Sequence, residues 1–370
     1  MKINLKSKET LFFILTSLFM VVVVFFGMRS ELWSNSNNNP MFARAVVLEI
    51  LDDRVNINEA GAYVGSQRLK IEIISGHNKG SIVEAQNILF PIEQGVNASV
   101  GERVIAFYDG TGFAHIQSYD RSIGIGVVII GFIILLAIIF GKSGLRAAFG
   151  LIFTFVTIIF ILMPGITNGL SPGILTIGLS ILIVIVSIIA IMGFKAKTYV
   201  SILGAIIGIL AYIIFYFIVG RLLKIDGFNI SDIDLLIVAG FSIGARELLF
   251  SSILIASLGG IMDVAVSLGS SMYELRLSNT SLSVRELFQT GMKVSKDIIG
   301  SSSNTLILAF TGTFLVTLML LANTNAQHLV IINRVDIGIE MLRAISASAA
   351  MLVVAPATAL LGAYFYSKHV

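Results

Sequence analysis

Asp263, Ser267, Ser271 and Glu274 stand at i, i+4, i+8 and i+11 in an otherwise apolar stretch, so a helix there projects all four from one face. Carboxylates and hydroxyls in that arrangement can hand on protons or hold a cation. A charged side chain at bilayer depth costs at least ~2.5 kcal/mol on the gentlest scale, and it is tolerated where it faces a bundle interior or a water-filled path. The same groups can also act only as hydrogen-bonding glue between helices. Polar groups enter apolar sequence at two further places: Gly300-Ser301-Ser302-Ser303-Asn304-Thr305, and Glu340 with Arg343 one helical turn on. The predicted intramembrane polar path is Asp263, Ser267, Ser271, Glu274, Asn304, Glu340 and Arg343.

Other chemistries lack their residues. The chain has no cysteine, which removes disulfides, thiol catalysis, iron–sulfur clusters and Cys-ligated zinc. Its histidines, His77, His115, His328 and His369, are scattered with no HExxH pair. Gly269-Ser270-Ser271 lacks the final glycine of a rhomboid-type GxSG, and no histidine falls in a span. Asp263 has no clear second aspartate for aspartyl chemistry, because Asp297 is expected at the interface, and no GxxxxGK[ST] loop occurs. No enzymatic activity, cofactor or metal is expected. The net charge of +3 is too small and dispersed for a nucleic-acid partner, which leaves the lipid bilayer as the surrounding partner.

The elements that must position these groups are read from hydropathy. With 370 residues, 56% hydrophobic and 13% charged, and a mean hydropathy of +0.93, the composition is that of a polytopic membrane protein. Residues 1–28 read as an uncleaved signal-anchor span, Leu11 to Met28, behind Lys2, Lys6 and Lys8. Residues 29–121, after an Asn/Ser-rich linker, alternate apolar and polar residues: Val46, Leu48, Ile50; then Leu69, Ile71, Ile73. About five short strands punctuated by glycine predict a small extracytoplasmic all-β, OB-like domain. Residues 122–370 form a seven-span helical domain, giving about eight spans in all, with a Ser283-x-x-Glu286 capping box opening a cytoplasmic amphipathic helix at 283–299. Gly204 and Gly208 mark a close-packing face, Pro356 a kink, and Tyr364, Tyr366 and Lys368 an interface anchor. Basic residues at Lys142, Arg146, Lys195 and Lys197 place both termini in the cytoplasm of a plasma-membrane protein.

Several motifs now combine. Gly144-Leu145 ahead of a span, Pro164, Gly169 and Pro172 after it, Gly259-Gly260-Ile261-Met262-Asp263-Val264-Ala265, Ser270-Ser271 with Glu274, Asp297 to Gly300, Asn304-Thr305, and Glu340-x-x-Arg343 with Pro356 together resemble the YibE/F family of bacterial multi-pass membrane proteins. The resemblance covers most of Gly141 to Tyr366 and implies a Gram-positive-type membrane protein of the longer family type, with an extracytoplasmic domain. Arg246-Glu247, inside the sixth hydrophobic stretch, departs from the pattern. The expected function is transporter or permease-like along the polar path, with a homo-oligomer or a second YibE/F-type subunit supplying the half that an absent internal repeat leaves missing. The alternative is a non-transporting membrane scaffold whose β-domain docks an envelope partner.

Overall fold

The computed structural model describes residues 8–29, 42–76, 78–90, 96–108, 112–228, 236, 238, 244–323 and 327–369. The expected linker at 34–40, Lys2, Lys6, His77 and the acidic residues Asp232 and Asp234 lie outside them, as do parts of the expected outer segments near 235–243 and 324–326. The chain divides into two compact units, Arg29–Ile139 and Met1–Met28 with Phe140–Val370. The helix after the β-domain, expected to open the membrane domain, therefore groups with the strands.

The smaller unit holds β1 (Phe42–Asp53), β2 (Asn56–Ile57), β3 (Tyr63–Ile73), β4 (Ile82–Leu89), β5 (Arg103–Tyr108) and β6 (Phe113–Tyr119), followed by the helix α2 (Ser122–Phe140). Five strands close on themselves in the order β1-β5-β6-β4-β3, with β1 pairing back onto β3, and only β4 and β6 run parallel. That is a Greek-key barrel of OB-like size. Leu69, Ile71 and Ile73 are fully buried, as their alternation requires. The narrow interior is completed by Ala45, Ala85, Ala106 and Ala114, each at most 2% exposed. On β1 the inward residues are Ala45 and Val47, not the alternating Val46 and Leu48, while Leu48 is exposed. Bulges between Val47 and Glu49 and between Ile50 and Asp52 shift the register, so large apolar residues on this strand do not mark its inner face.

A segment at 96–98 seals the barrel. Buried Gln67 accepts from the Ala98 amide at 3.0 Å and donates to the Ala98 carbonyl at 3.2 Å, while Asn87 donates to the Gln67 side-chain oxygen at 2.8 Å. The Tyr119 hydroxyl donates to the Asn97 carbonyl at 2.7 Å, and burial pushes this phenol above its ordinary pKa.

In the larger unit the helices are α1 (Lys8–Gly27), α3 (Lys142–Thr167), α4 (Pro172–Met192), α5 (Ala196–Leu222), α6 (Ala245–Ser278), α7 (Val284–Thr313), α8 (Leu315–Asn323), α9 (His328–Ile332) and α10 (Val335–His369). Among the described residues seven helices are long and apolar enough to cross a membrane, or eight if α7 and α8, bent by 55° at Phe314, form one span. The core is a packing of α4, α5, α6, α7 and α10, and α1 lies against α3 through an Arg146–Glu9 ion pair of 2.7 Å and a Phe13–Phe149 edge contact. Gly204 and Gly208 do form a close-packing face. A Cβ at Gly204 would lie 2.1 Å from the Thr358 hydroxyl of α10, and one at Gly208 would lie 2.3 Å from Val354.

Three expectations change. The capping box is present, with Glu286 accepting from the Ser283 amide and hydroxyl at 2.8 and 2.7 Å, but the helix it opens does not end at 299. It runs on to Thr313, because the Gly300 to Asn304 run is polar yet helical, so the amphipathic segment is the first half of the span. The span expected to begin near Leu248, after an outer segment or a break at Arg246-Glu247, begins at Ala245, with Arg246 and Glu247 in the first turn of α6 behind Gly244; residues 239–243 before it lie outside the described residues. Tyr366 is no interface anchor: two residues from exposed Tyr364 is about half a helical turn, so Tyr366 is fully buried and donates to the Gly269 carbonyl at 2.9 Å.

Candidate polar site in the helical unit

The polar face of α6 exists because its sequence sorts into two sides. Leu249, Ile253, Ile261, Val264, Leu268 and Met272 are buried against the neighbouring helices. The opposite side carries Ser252, Ala256, Gly259, Asp263, Ser267, Ser271 and Glu274, all of them exposed. The structure thus brings Asp263, Ser267, Ser271 and Glu274 onto one face, as their spacing requires, and that face points out of the bundle. Small and polar residues stand there where contact with lipid favours large apolar ones. Asp263 has no hydrogen-bond or ion-pair partner among the described residues. Glu274 does have one, Lys197 of α5 at 3.5 Å, and with 65% of its side chain exposed this pair is worth ~0–1 kcal/mol.

Asn304 is exposed on α7. Leu306, two residues further on, packs where a Cβ on Gly260 of α6 would sit, 2.9 Å away. The two helices run in opposite senses, so Asn304 and Asp263 stand at about the same height in the bundle.

Glu340 and Arg343 pair at 2.8 Å across one turn of α10, with side chains 18% and 25% exposed. The Arg343 guanidinium lies 5.7 Å from the Phe310 ring centre, and the second Glu340 oxygen is buried without a protein partner. This carboxylate lines a mainly apolar groove of about 500 Å³ between α10 and the bent pair α7 and α8, with Phe310, Phe314, Leu318 and Ser348 on its walls. Asp263 is not among the lining residues. Among the described residues, four of the seven predicted path residues share the outer face of α6, Asn304 stands level with them on α7, and Glu340 and Arg343 form a pair on α10.

Sequence reading missed the groups that hold this arrangement. Tyr212 and Tyr216 of α5 donate to the carbonyls of Phe250 and Arg246 at 3.0 and 3.2 Å, and Ser201 donates to Ala265 at 2.9 Å. Two tyrosines at i and i+4 in a span were the available signal. It also missed Thr157 of α3 and Thr176, Ser180 and Ser187 of α4, buried hydroxyls without a protein partner that fall at near-helical spacing. Thr157 directly precedes a π-helical turn, Ile158–Leu162.

Among the curated proteins none matches this chain, and no solved structure does. A family model does match, described as YibE/F-like protein, over residues 128–368. That span takes in the Asp263 face, Asn304, the Glu340–Arg343 pair and every helix of the core, and it supports a multi-pass membrane protein. On that match, well over half its length, the chain belongs to the YibE/F-like family.

Proposed function

We propose that the chain is a permease-type subunit in which the polar face of α6 lines a path for an ion or small polar solute, completed by a second copy of the chain. The observation that carries this is Asp263, exposed at the middle of a spanning helix with no partner in its own bundle. A carboxylate facing lipid there costs roughly 2.5–3.5 kcal/mol. Small residues flanking it let another helix approach closely, and a two-fold contact sets the same face against itself.

The charge at one end of the bundle supports the expected orientation. Contacts between Glu9 and Arg146, Lys197 and Glu274, and Arg276 and the Ser367 carbonyl gather one set of helix ends, rich in Lys195, Arg285, Lys293, Lys296 and Lys368. In our reading this end is cytoplasmic, both termini lie with it, and the barrel is extracytoplasmic in a plasma membrane. No chemical step is part of this reading. The scaffold alternative draws on a specific observation, that the groove lined by Glu340 is not lined by Asp263.

The test uses the cysteine-free background. Ser252→Cys and Ser267→Cys are expected to form disulfide-linked dimers in membranes, whereas Leu210→Cys, on the exposed side of α5, is not. In cells whose phenotype depends on the chain, Asp263→Asn should keep the cross-link and lose function. A silent Asp263→Asn, with Asp263→Leu weakening the cross-link, would establish the scaffold instead.

A further inference from the structure

At the end of the bundle where α5 stops and α6 starts, a cavity of about 380 Å³ is lined by Arg221, Lys224 and Arg246 together with Tyr216, Phe217 and Ile225. None of the three cations has an acidic partner among the described residues, where Glu247 and Asp226 accept hydrogen bonds from other groups. Glu247 is turned to the start of α4, where it accepts from the Ser171 hydroxyl at 2.7 Å, and Asp226 accepts from the Phe228 amide at 3.2 Å.

Two features show that this cluster is built against local preference. Arg246 sits in the first turn of α6, the positive end of the helix dipole, where a cation is disfavoured. Lys224 has φ +53, the left-handed conformation that costs a side-chain-bearing residue roughly 1–2 kcal/mol and that glycine normally supplies at a helix end. The Ile225 amide reaches back to the Gly220 carbonyl at 3.0 Å and the Lys224 amide to Arg221 at 3.3 Å, the pattern of a Schellman cap with lysine where glycine is usual. Gly227 then lets the chain turn flat against α6: a Cβ there would stand 2.6 Å from the Ala245 carbonyl. The turn thereby brings the end of α5 and the start of α6 together, so three like charges converge on one cavity. Like charges lining one cavity repel one another, and an anion between them removes that cost.

We propose that this cavity binds a phosphate group. Three donors of two kinds, two guanidinium forks and an ammonium, suit the several oxygens of a phosphate better than a single carboxylate. The aromatic side adds a preference. Phe217 is 51% exposed and continues the cavity onto the outer apolar surface of α5, beside Ile214 and Ile218, a surface suited to the chain of a phospholipid whose headgroup fills the basic end.

Purified full-length protein in a zwitterionic detergent is melted with added phosphatidylglycerol, phosphatidylcholine or inorganic phosphate. Phosphatidylglycerol is expected to raise Tm by at least about 2 °C over phosphatidylcholine, and the rise should vanish in Arg246→Gln. Lys224→Gly separates binding from folding: it relieves the left-handed residue while removing a cation, so its Tm without ligand should equal or exceed the parent's while its phosphatidylglycerol response falls. If inorganic phosphate gives the variant-sensitive rise instead, the site takes a soluble anion and the lipid source is wrong. If neither ligand shifts Tm, or the shifts survive in both variants, the phosphate site is overturned.

Discussion

Gly204 sets how closely α5 and α10 approach, and the effect is local enough to predict. A methyl group there must displace the fully buried Thr358, so Gly204→Ala is expected to destabilise the protein by ~1–3 kcal/mol, read as a lower Tm in detergent. Gly204→Ala combined with Thr358→Ala should recover part of the loss; no recovery would place the strain elsewhere. In the barrel, Ile71→Asp puts an unpaired charge among fully buried residues, and loss of protease resistance of the barrel is the expected outcome. Both positions were legible in the sequence, one from its spacing to Gly208 and the other from strict alternation. Ala45 and Val47 were not, because bulges break the two-residue period, and Tyr366 was misread because a tyrosine near a helix end suits either an interface or a core.

Among the elements, the barrel was recoverable because Leu69, Ile71 and Ile73 alternate with charged residues and Ile82–Leu89 alternates exposed and buried positions from end to end. The α6 start was not, since Arg246 and Glu247 read equally as a break in a span or as its beginning. In the structure Glu247 is turned to α4, where it accepts from Ser171. The link between β6 and α2 gives an element-level prediction. Hydrogen bonds from the Ser122 hydroxyl and amide, with Arg44 at 3.6 Å, hold the Asp120 carboxyl below its ordinary pKa, and its side chain is only 3% exposed. A depressed folded pKa contributes stability that is present above the ordinary value of 3.8 and lost as pH falls through the folded value. The barrel unit should therefore lose stability on acidification below that range, and Asp120→Asn should flatten this part of the profile, followed by urea unfolding against pH. Equal slopes in parent and variant would remove Asp120 from the explanation.

At the scale of the whole molecule, topology is directly testable because there is no native cysteine to remove. Cysteines at Lys142 and Lys293 are expected to react only from the cytoplasmic side, and those at Glu84 and Arg221 only from outside; reaction of Lys293→Cys from outside would invert or break the span order. Hydropathy made the span count legible, but not which faces meet, since the Asp263 side looked like an interior until packing placed it outside. The contrast between α2 and the seam of α5 with α10 has a consequence for ancestry. No residue of α2 is buried, so after Ser122, which holds Asp120, its positions answer to little beyond apolarity and length. Gly204, Gly208, Val354 and Thr358 fit one another and must change together or not at all. Descendants of a common ancestor should therefore diverge at two speeds, with α2 drifting freely among leucine, isoleucine, valine and phenylalanine while the glycine seam substitutes rarely and in matched pairs.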